Sequence, residues 1–221
     1  MQPANVITTG RFAPTPSGPL HFGSLVTAVA SYCESRSIKG AWLLRIEDLD
    51  TPRVVKGAAD NIISTLEAFG FEWDGSVLHQ SQRFEAYEQA IQQLIKNDLI
   101  YACECSKKTL RQHKPPTGPF GIIYPGICNN KNLPLALSRL RMRIIANEDL
   151  TFVDRHFGTY SLNLQQQVGD IIVKQIDGIY AYHLAVVIDD AFQQVNQIVR
   201  GADLLEMSCL HLHLNKLLNC P

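Results

Sequence analysis

Hydrophobic and polar positions divide the chain into two stretches of α/β character separated by one of a different kind. Residues 5–12 read as a short strand, followed at 13–23 by a Pro- and Gly-rich loop, APTPSGPLHFG, which ends where helical spacing begins. Ser24 is the candidate N-cap, and Leu25, Ala28, Val29 and Tyr32 recur at the interval that buries one helix face. In AWLLRIEDLD the residues from Ala41 to Leu44 are continuously apolar, as in a strand covered on both sides, so a parallel sheet is expected with charge collected at the strand's end. Ile62, Ile63 and Leu66 predict an amphipathic helix within 56–69, and Tyr87, Ile91, Leu94 and Ile95 another within 84–97.

From Tyr101 to about Asp177 the pattern changes to a cysteine pair, the loop HKPPTGPFGIIYPG, the basic stretch RLRMRI and short alternating segments. The expected organisation is therefore a first half of an α/β domain over 1–100, an insertion over 101–177, and a second half over 178–221. The apolar run from Ala181 to Ile188 and a helical pattern from Leu204 to Leu218 belong to that second half. Arg139, Arg141 and Arg143 alternate as on one strand face, which fits either a solvated edge or a contact with phosphate.

A chain of 221 residues, 46% hydrophobic, can bury a core of its own. With 20 basic and 21 acidic residues, any nucleic-acid contact has to rest on a local patch. No stretch approaches the ~20 apolar residues of a membrane span, and the start MQPANVITTG lacks the order of a secretory signal, so a cytoplasmic protein without a membrane partner is expected. Six cysteines in this length fit free thiols plus a metal site better than a disulfide framework.

The loop at 13–24 sits where open parallel sheets bind ligands, before a helix whose first N–H groups attract phosphate. Gly18 and Gly23 permit close backbone approach, Pro14, Pro16 and Pro19 stiffen the loop, and His21 adds a donor, although a plain turn with a structural histidine fits the spacing too. Cys103 and Cys105, with Cys128 farther on, offer three thiolates to a tetrahedral zinc, and His113 is a competing fourth ligand. Cys33, Cys209 and Cys220 fall in helical patterns as packing residues.

Several of these segments carry a resemblance. RFAPTPSGPLHFGSL resembles the opening signature of glutamyl- and glutaminyl-tRNA synthetases, with His21, Phe22, Gly23 and Ser24 in the place of the HIGH tetrapeptide. AWLLRIEDLDTPR is similar to the same family's second-strand motif, and VVIDDAFQQVNQIVRGADLL to its segment across the later strands. The resemblance implies a Rossmann-like (HUP-type) parallel-sheet domain that binds nucleotide, with a zinc-containing α+β insertion.

It further implies a glutamate pocket made by Arg11, Phe12, Ala13, Pro14, Thr15, Glu47, Tyr182 and Arg200, in which Glu47 holds the ammonium while the arginines and tyrosine hold the carboxylate end. His21 and Gly23 would be the catalytic positions, and with Ser24 they would receive ATP. Without that resemblance, Glu47 and Asp48 read as a solvated strand end paired with Arg45 or Arg53, and Arg200 as a surface ion pair. YACECS and YPGIC resemble the zinc insertion of the glutamyl-Q tRNA(Asp) synthetase branch, which implies Cys103, Cys105, Tyr124 and Cys128 as the metal ligands, although the segment with Pro115, Pro116 and Gly118 is longer than the branch pattern.

For that branch the implied activity is ATP-dependent activation of L-glutamate, with Mg²⁺, and its transfer to the queuosine in the anticodon of tRNA(Asp), by a monomer. Two rival readings are a fragment of an ordinary glutamyl-tRNA synthetase and a non-catalytic glutamate- or tRNA-binding module. The family's second signature, KMSKS, does not occur in these residues, and position 210 is leucine where relatives more often carry a basic residue. If the 221 residues are the whole molecule, glutamate binding is expected to survive while ATP–pyrophosphate exchange is severely weakened.

Overall fold

The computed structural model describes residues 7–145 and 147–220, so residues 5 and 6 of the first expected strand lie outside the described part. The chain forms two compact units. The first joins residues 7–84 to Asp189–Asp203, and the second joins Glu85–Ile188 to 204–220. Among the described residues no helix is long and apolar enough to cross a membrane.

In the first unit, β1 (Thr9–Phe12) leads through α1 (Phe22–Ser37) to β2 (Ala41–Ile46), and α2 (Ala58–Ala68) leads to β3 (Leu78–His79). β2 is the central strand, parallel to β1 with Thr9 opposite Ala41 and parallel to β3 with Ile46 opposite His79. The expected parallel α/β sheet is therefore present. Its core is Phe12, Trp42, Leu44, Ile46, Ile62, Leu66 and Phe71. Trp42 is fully buried between Phe12 and Phe71, with ring centroids at 6.4 and 5.6 Å, and donates Nε1–H to Ser31 at 3.0 Å.

Two features of α1 differ from the periodicity. The helix starts at Phe22, and its cap is His21 rather than Ser24, because the imidazole Nδ1 accepts the Ser24 N–H at 3.2 Å. Its buried face is Ala28, Ser31 and Ser35, while Val29 is exposed. Small residues let the helix lie close on the sheet: a Cβ at Gly10 would run into Ser35 Oγ. Cys33 is likewise exposed rather than packed.

All of α3 (Phe84–Lys96) but its first residue belongs to the second unit, where it buries Tyr87, Ile91 and Leu94. β4 (Ile100–Cys103) is followed by α4 (Lys107–Gln112), the short pair β5 (Thr117–Gly118) and β6 (Gly121–Ile122), and β7 (Arg139–Met142). β8 (Asp149–Asp154) and β9 (Gly158–Asn163) form a hairpin, before α5 (Leu164–Gln167), β10 (Ile171–Lys174), α6 (Tyr182–Phe192) and α7 (Met207–Leu218). β7 lies between β4 and β10 in an antiparallel sheet. Arg139 and Arg141 are thus on a central strand rather than a solvated edge.

The apolar run at 181–188 is the body of α6, with Leu184, Ala185, Val186 and Val187 buried. The segment after α6 is not a strand. The chain from Val195 to Gln197 lies along β1, where Thr9 O accepts the Asn196 and Gln197 N–H groups at 3.1 and 3.2 Å and Thr9 N donates to Asn196 Oδ1 at 2.9 Å.

Candidate functional site

At the carboxyl ends of β1 and β2 the loop 13–21 is tied to the chain beyond β2. Glu47 N donates to Pro14 O at 3.0 Å, and Val55 N to Pro16 O at 2.9 Å. Strand alternation sends Arg11 and Phe12 to opposite sides, so Phe12 enters the aromatic core while Arg11 turns toward charge. Ala13 is half-buried, Pro14 buried and Thr15 exposed.

Arg11, 4% exposed, donates Nε–H to Asp190 Oδ1 at 3.0 Å, and its two Nη groups make no hydrogen bond among the described residues. Fully buried Arg45 donates Nη2–H to the same Asp190 oxygen at 2.7 Å, reaches Glu47 Oε1 at 3.4 Å, and gives Nη1–H to Gln193 at 2.8 Å. Beside it, Asp189 accepts from Gln80 at 3.0 Å and Arg83 at 3.1 Å. Buried charges are tolerable only when paired in this way.

Burial and neighbours set the protonation. Burial opposes the Arg45 charge, but Asp190 and Glu47 outweigh it and raise its pKa. Burial would raise Asp190, yet Arg11 and Arg45 hold it below the usual carboxylate range. For Glu47 the balance reverses: burial outweighs Arg45 and Arg11, and the carboxyl is pushed up to about 7. This carboxyl is therefore close to half-neutral at neutral pH.

Asp48 accepts both N–H and Oγ–H of Ser81, at 2.8 and 2.7 Å, and Arg53 pairs with Asp50 at 3.2 Å, so neither joins the buried network. Arg200 is half-buried in the first unit, on the segment after α6. Tyr182 opens α6 in the second unit, its ring centroid 5.5 Å from His183 and 5.9 Å from His211. At the start of α1, His21 and Gly23 are exposed, and the His21 ring also meets Ser24 Oγ at 3.1 Å. Sequence reasoning used Arg45 only as a partner for an exposed Glu47, and it did not single out Asp189, Asp190, Gln80, Arg83 or Gln193. The available signal was an arginine inside an apolar strand and the acidic pair in VVIDD.

In the second unit the thiols of Cys103, Cys105 and Cys128 are buried and lie within 4.8 Å of one another. Tyr124 Oη stands 3.5 Å from Cys103 Sγ and 3.4 Å from Cys105 Sγ, and accepts the Cys128 N–H at 2.9 Å. Cys105 and Cys128 are 3.5 Å apart, close to the ~3.8 Å edge of a tetrahedron with zinc–sulfur bonds of ~2.3 Å. Three thiols and a phenol oxygen therefore fit a four-coordinate metal. His113 stands apart, exposed, with its ring on Thr109 O at 3.0 Å.

Arg141 is buried with its guanidinium carbon 3.8 Å from the Tyr124 ring centroid, and donates Nε–H to Cys103 at 3.3 Å. Burial pushes the Cys103 thiol up, but hydrogen bonding with Tyr124 and Arg141 prevails and brings it down to about 7. Burial and the Cys128 thiol push Cys105 up to about 11 against its bond with Tyr124. A thiolate is thus favoured at one corner of the cluster, the form that a metal requires.

A parallel nucleotide-type sheet with a helix N-terminus and a buried charge network at its strand ends defines a class, and comparison places the chain in it. The chain belongs to the family of tRNA synthetases class I (E and Q), catalytic domain, matched over residues 6–122 and 128–221. It is 52% identical over 201 residues to the Glutamyl-Q tRNA(Asp) synthetase of Dechloromonas aromatica, covering 89% of this chain and 65% of that one. The protein of the same description from Pseudomonas paraeruginosa is 51% identical over 209 residues, 95% of this chain and 69% of that one.

Among solved structures, a glutamate tRNA ligase from Elizabethkingia meningosepticum in complex with its amino acid superposes with a TM-score of 0.82 at 25% identity. The match covers 96% of this chain and 47% of that one. The chain thus spans about two thirds of the length of the first relatives and about half of the solved chain.

Proposed function

We propose that this chain is a cytoplasmic enzyme that activates L-glutamate with ATP and passes the glutamyl group to the queuosine of tRNA(Asp). The observation that carries the glutamate assignment is Arg11, nine-tenths buried with its Nη groups unpartnered among the described residues, in one network with Glu47. A guanidinium fork offered this way suits a carboxylate bidentately, and a nearby acid suits the ammonium. In this reading Arg200 and Tyr182 complete the carboxylate end, and the chain from Phe12 to Thr15 walls the pocket with its backbone. His21, Gly23 and Ser24 receive the phosphates of ATP and its Mg²⁺ at the start of α1.

The α-carboxylate oxygen of glutamate attacks the α-phosphorus, the bond to pyrophosphate breaks, and a mixed anhydride with AMP results. A nucleophile of the modified nucleoside then takes the acyl carbon and AMP leaves. The side chains contribute position and charge rather than a covalent nucleophile. Cys103, Cys105, Tyr124 and Cys128 would hold a structural Zn²⁺ that pins the insertion at 101–177. Identity near 50% to proteins described as Glutamyl-Q tRNA(Asp) synthetases, against 25% to a glutamate tRNA ligase, supports queuosine over the terminal ribose as acceptor.

The test is incorporation of labelled glutamate into tRNA(Asp) prepared with and without queuosine, alongside glutamate-dependent ATP–pyrophosphate exchange. Label should enter only the queuosine-containing tRNA. Labelling of tRNA(Glu) with neither tRNA(Asp) preparation labelled would support an ordinary glutamyl-tRNA synthetase, and no glutamate-dependent exchange would support the binding module.

A further inference from the structure

Charge is distributed unevenly along this chain. Eight of its 20 lysines and arginines, and none of its 21 acidic residues, fall between 106 and 147, all within the second unit. Four of the eight are engaged by the protein. Arg141 lies over Tyr124 and donates to Asp170 O at 2.7 Å, and Arg139 donates to Cys105 O at 2.7 Å. Arg143 donates to Asn129 O at 3.0 Å, and Lys131 pairs with Glu104 at 2.8 Å. The other four, Lys107, Lys108, Arg111 and Lys114, are exposed and have no ion pair among the described residues.

These free cations are concentrated on one short element. Lys107, Lys108 and Arg111 lie on α4, and Lys114 follows its C-cap His113. Arg111 is three and four residues from the two lysines, so the three charges share a face and repel one another. A six-residue helix carrying them would not persist alone. It is held from behind: Ser106 Oγ accepts the Thr109 N–H at 3.0 Å, and Leu110 packs against Cys103, Cys105, Tyr124 and Cys128. The fold thus presents four like charges close together on one exposed stretch, a repulsion that an anionic partner would relieve.

We propose that α4 together with Lys114 is a contact for the phosphate backbone of tRNA, mounted on the cysteine–tyrosine cluster. The choice of RNA over an acidic protein or an anionic lipid surface rests on the reading of the chain as a tRNA-charging enzyme. Because a chain with nearly balanced charge has no general attraction for RNA, such a patch has to supply it.

The experiment measures binding of the whole protein, with its metal, to an unmodified tRNA transcript by fluorescence anisotropy from about 50 to about 200 mM KCl. Each lost phosphate contact lowers the slope of log affinity against log salt by about 0.7–0.9, so Lys107→Gln/Lys108→Gln/Arg111→Gln should lower it by about two to three and weaken binding at least about tenfold. Lys131→Gln, whose ammonium is already engaged by Glu104, should leave the slope unchanged.

In the wild-type protein, bound tRNA should also shield Lys107 and Lys108 from amine acylation read by mass spectrometry, a measurement that needs no variant to fold. A wild-type slope in the triple variant, or no shielding, overturns the proposal. Wild-type protein that ignores tRNA but binds acidic peptides or anionic vesicles does the same. Glutamate calorimetry reports separately on the amino-acid site, and tRNA binding through α4 without glutamate binding leaves this inference standing.

Discussion

If Glu47 receives the ammonium of glutamate, its raised pKa makes binding depend on pH in a calculable way. The free carboxyl titrates near about 7 because burial outweighs Arg45 and Arg11. An ammonium brought against it favours the ionised form, so binding expels the proton wherever the free carboxyl holds one. Affinity should therefore be level above about pH 8 and fall about tenfold between pH 8 and pH 6, because the ionised fraction of a group with pKa about 7 falls from about 0.9 to about 0.1. Close to half a proton should be released per glutamate bound at pH 7, and about 0.9 at pH 6.

Titration calorimetry in two buffers of different ionisation enthalpy measures both quantities, and Glu47→Gln should bind weakly with no pH dependence in this range. The same group acts on stability. A carboxyl whose pKa rises on folding holds more protons folded than unfolded, so its contribution is greatest below about pH 4.5 and declines until about pH 7, a loss on the order of 3 kcal/mol. Wild type measured against Glu47→Gln by denaturant titration should show that decline. Affinity that stays constant from pH 6 to 8 with no proton release would refute the assignment of Glu47.

Other contacts give further testable outcomes. Arg11→Ala should abolish glutamate binding by calorimetry, at least about 100-fold, because the ligand carboxylate would be buried without its guanidinium. Gly10→Ala should destabilise by about 1–3 kcal/mol through collision with Ser35 Oγ, and Ser35→Ala in the same chain should recover most of the loss, read as denaturant midpoints. Trp42→Ala empties the centre of the aromatic core and should remove about 3–5 kcal/mol in the same assay. Elemental analysis should find one zinc per chain and markedly less in Cys128→Ala, and chelation should lower the thermal midpoint.

Elements that depend on local pattern were legible. The apolar run of β2, the periodic faces of α2 and α3 and the helical pattern that became α7 could be assigned because each reports its own burial through residues a few positions apart. What was misread depends on residues far apart in sequence. Val29 has helical spacing but points outward, because α1 approaches the sheet through Ala28, Ser31 and Ser35, and closeness to Gly10 cannot be seen within the helix. The alternating arginines near 140 have the pattern of a solvated strand face, yet β7 is flanked on both sides, and Arg141 is covered by its contact with Tyr124 and Cys103. In the candidate site, Arg11 and Glu47 could be named from motifs, but the carboxylate linking Arg11 to Arg45 is contributed 179 residues from Arg11.

That link explains why a buried acid at 47 can serve two states. With Arg11, Arg45, Asp190 and Glu47 all ionised the network would balance two cations against two anions, but only Asp190 is held tightly by both arginines, at 2.7 and 3.0 Å. Glu47 has one long contact, 3.4 Å to Arg45, too weak to offset its burial, so it retains a proton for part of the time. In the proposed complex, entry of the glutamate ammonium would supply the missing counter-charge, and the carboxylate would then form where the ligand can use it. Shortening the Arg45 contact would ionise Glu47 permanently and remove the pH dependence, while losing Asp190 would free both guanidinium groups to compete for Glu47. Asp190→Asn should therefore lower the Glu47 pKa and shift the midpoint of the affinity–pH curve to more acidic values, with the protein still folded by circular dichroism. An unshifted midpoint would mean that Asp190 does not govern how much of the two arginines' charge reaches Glu47.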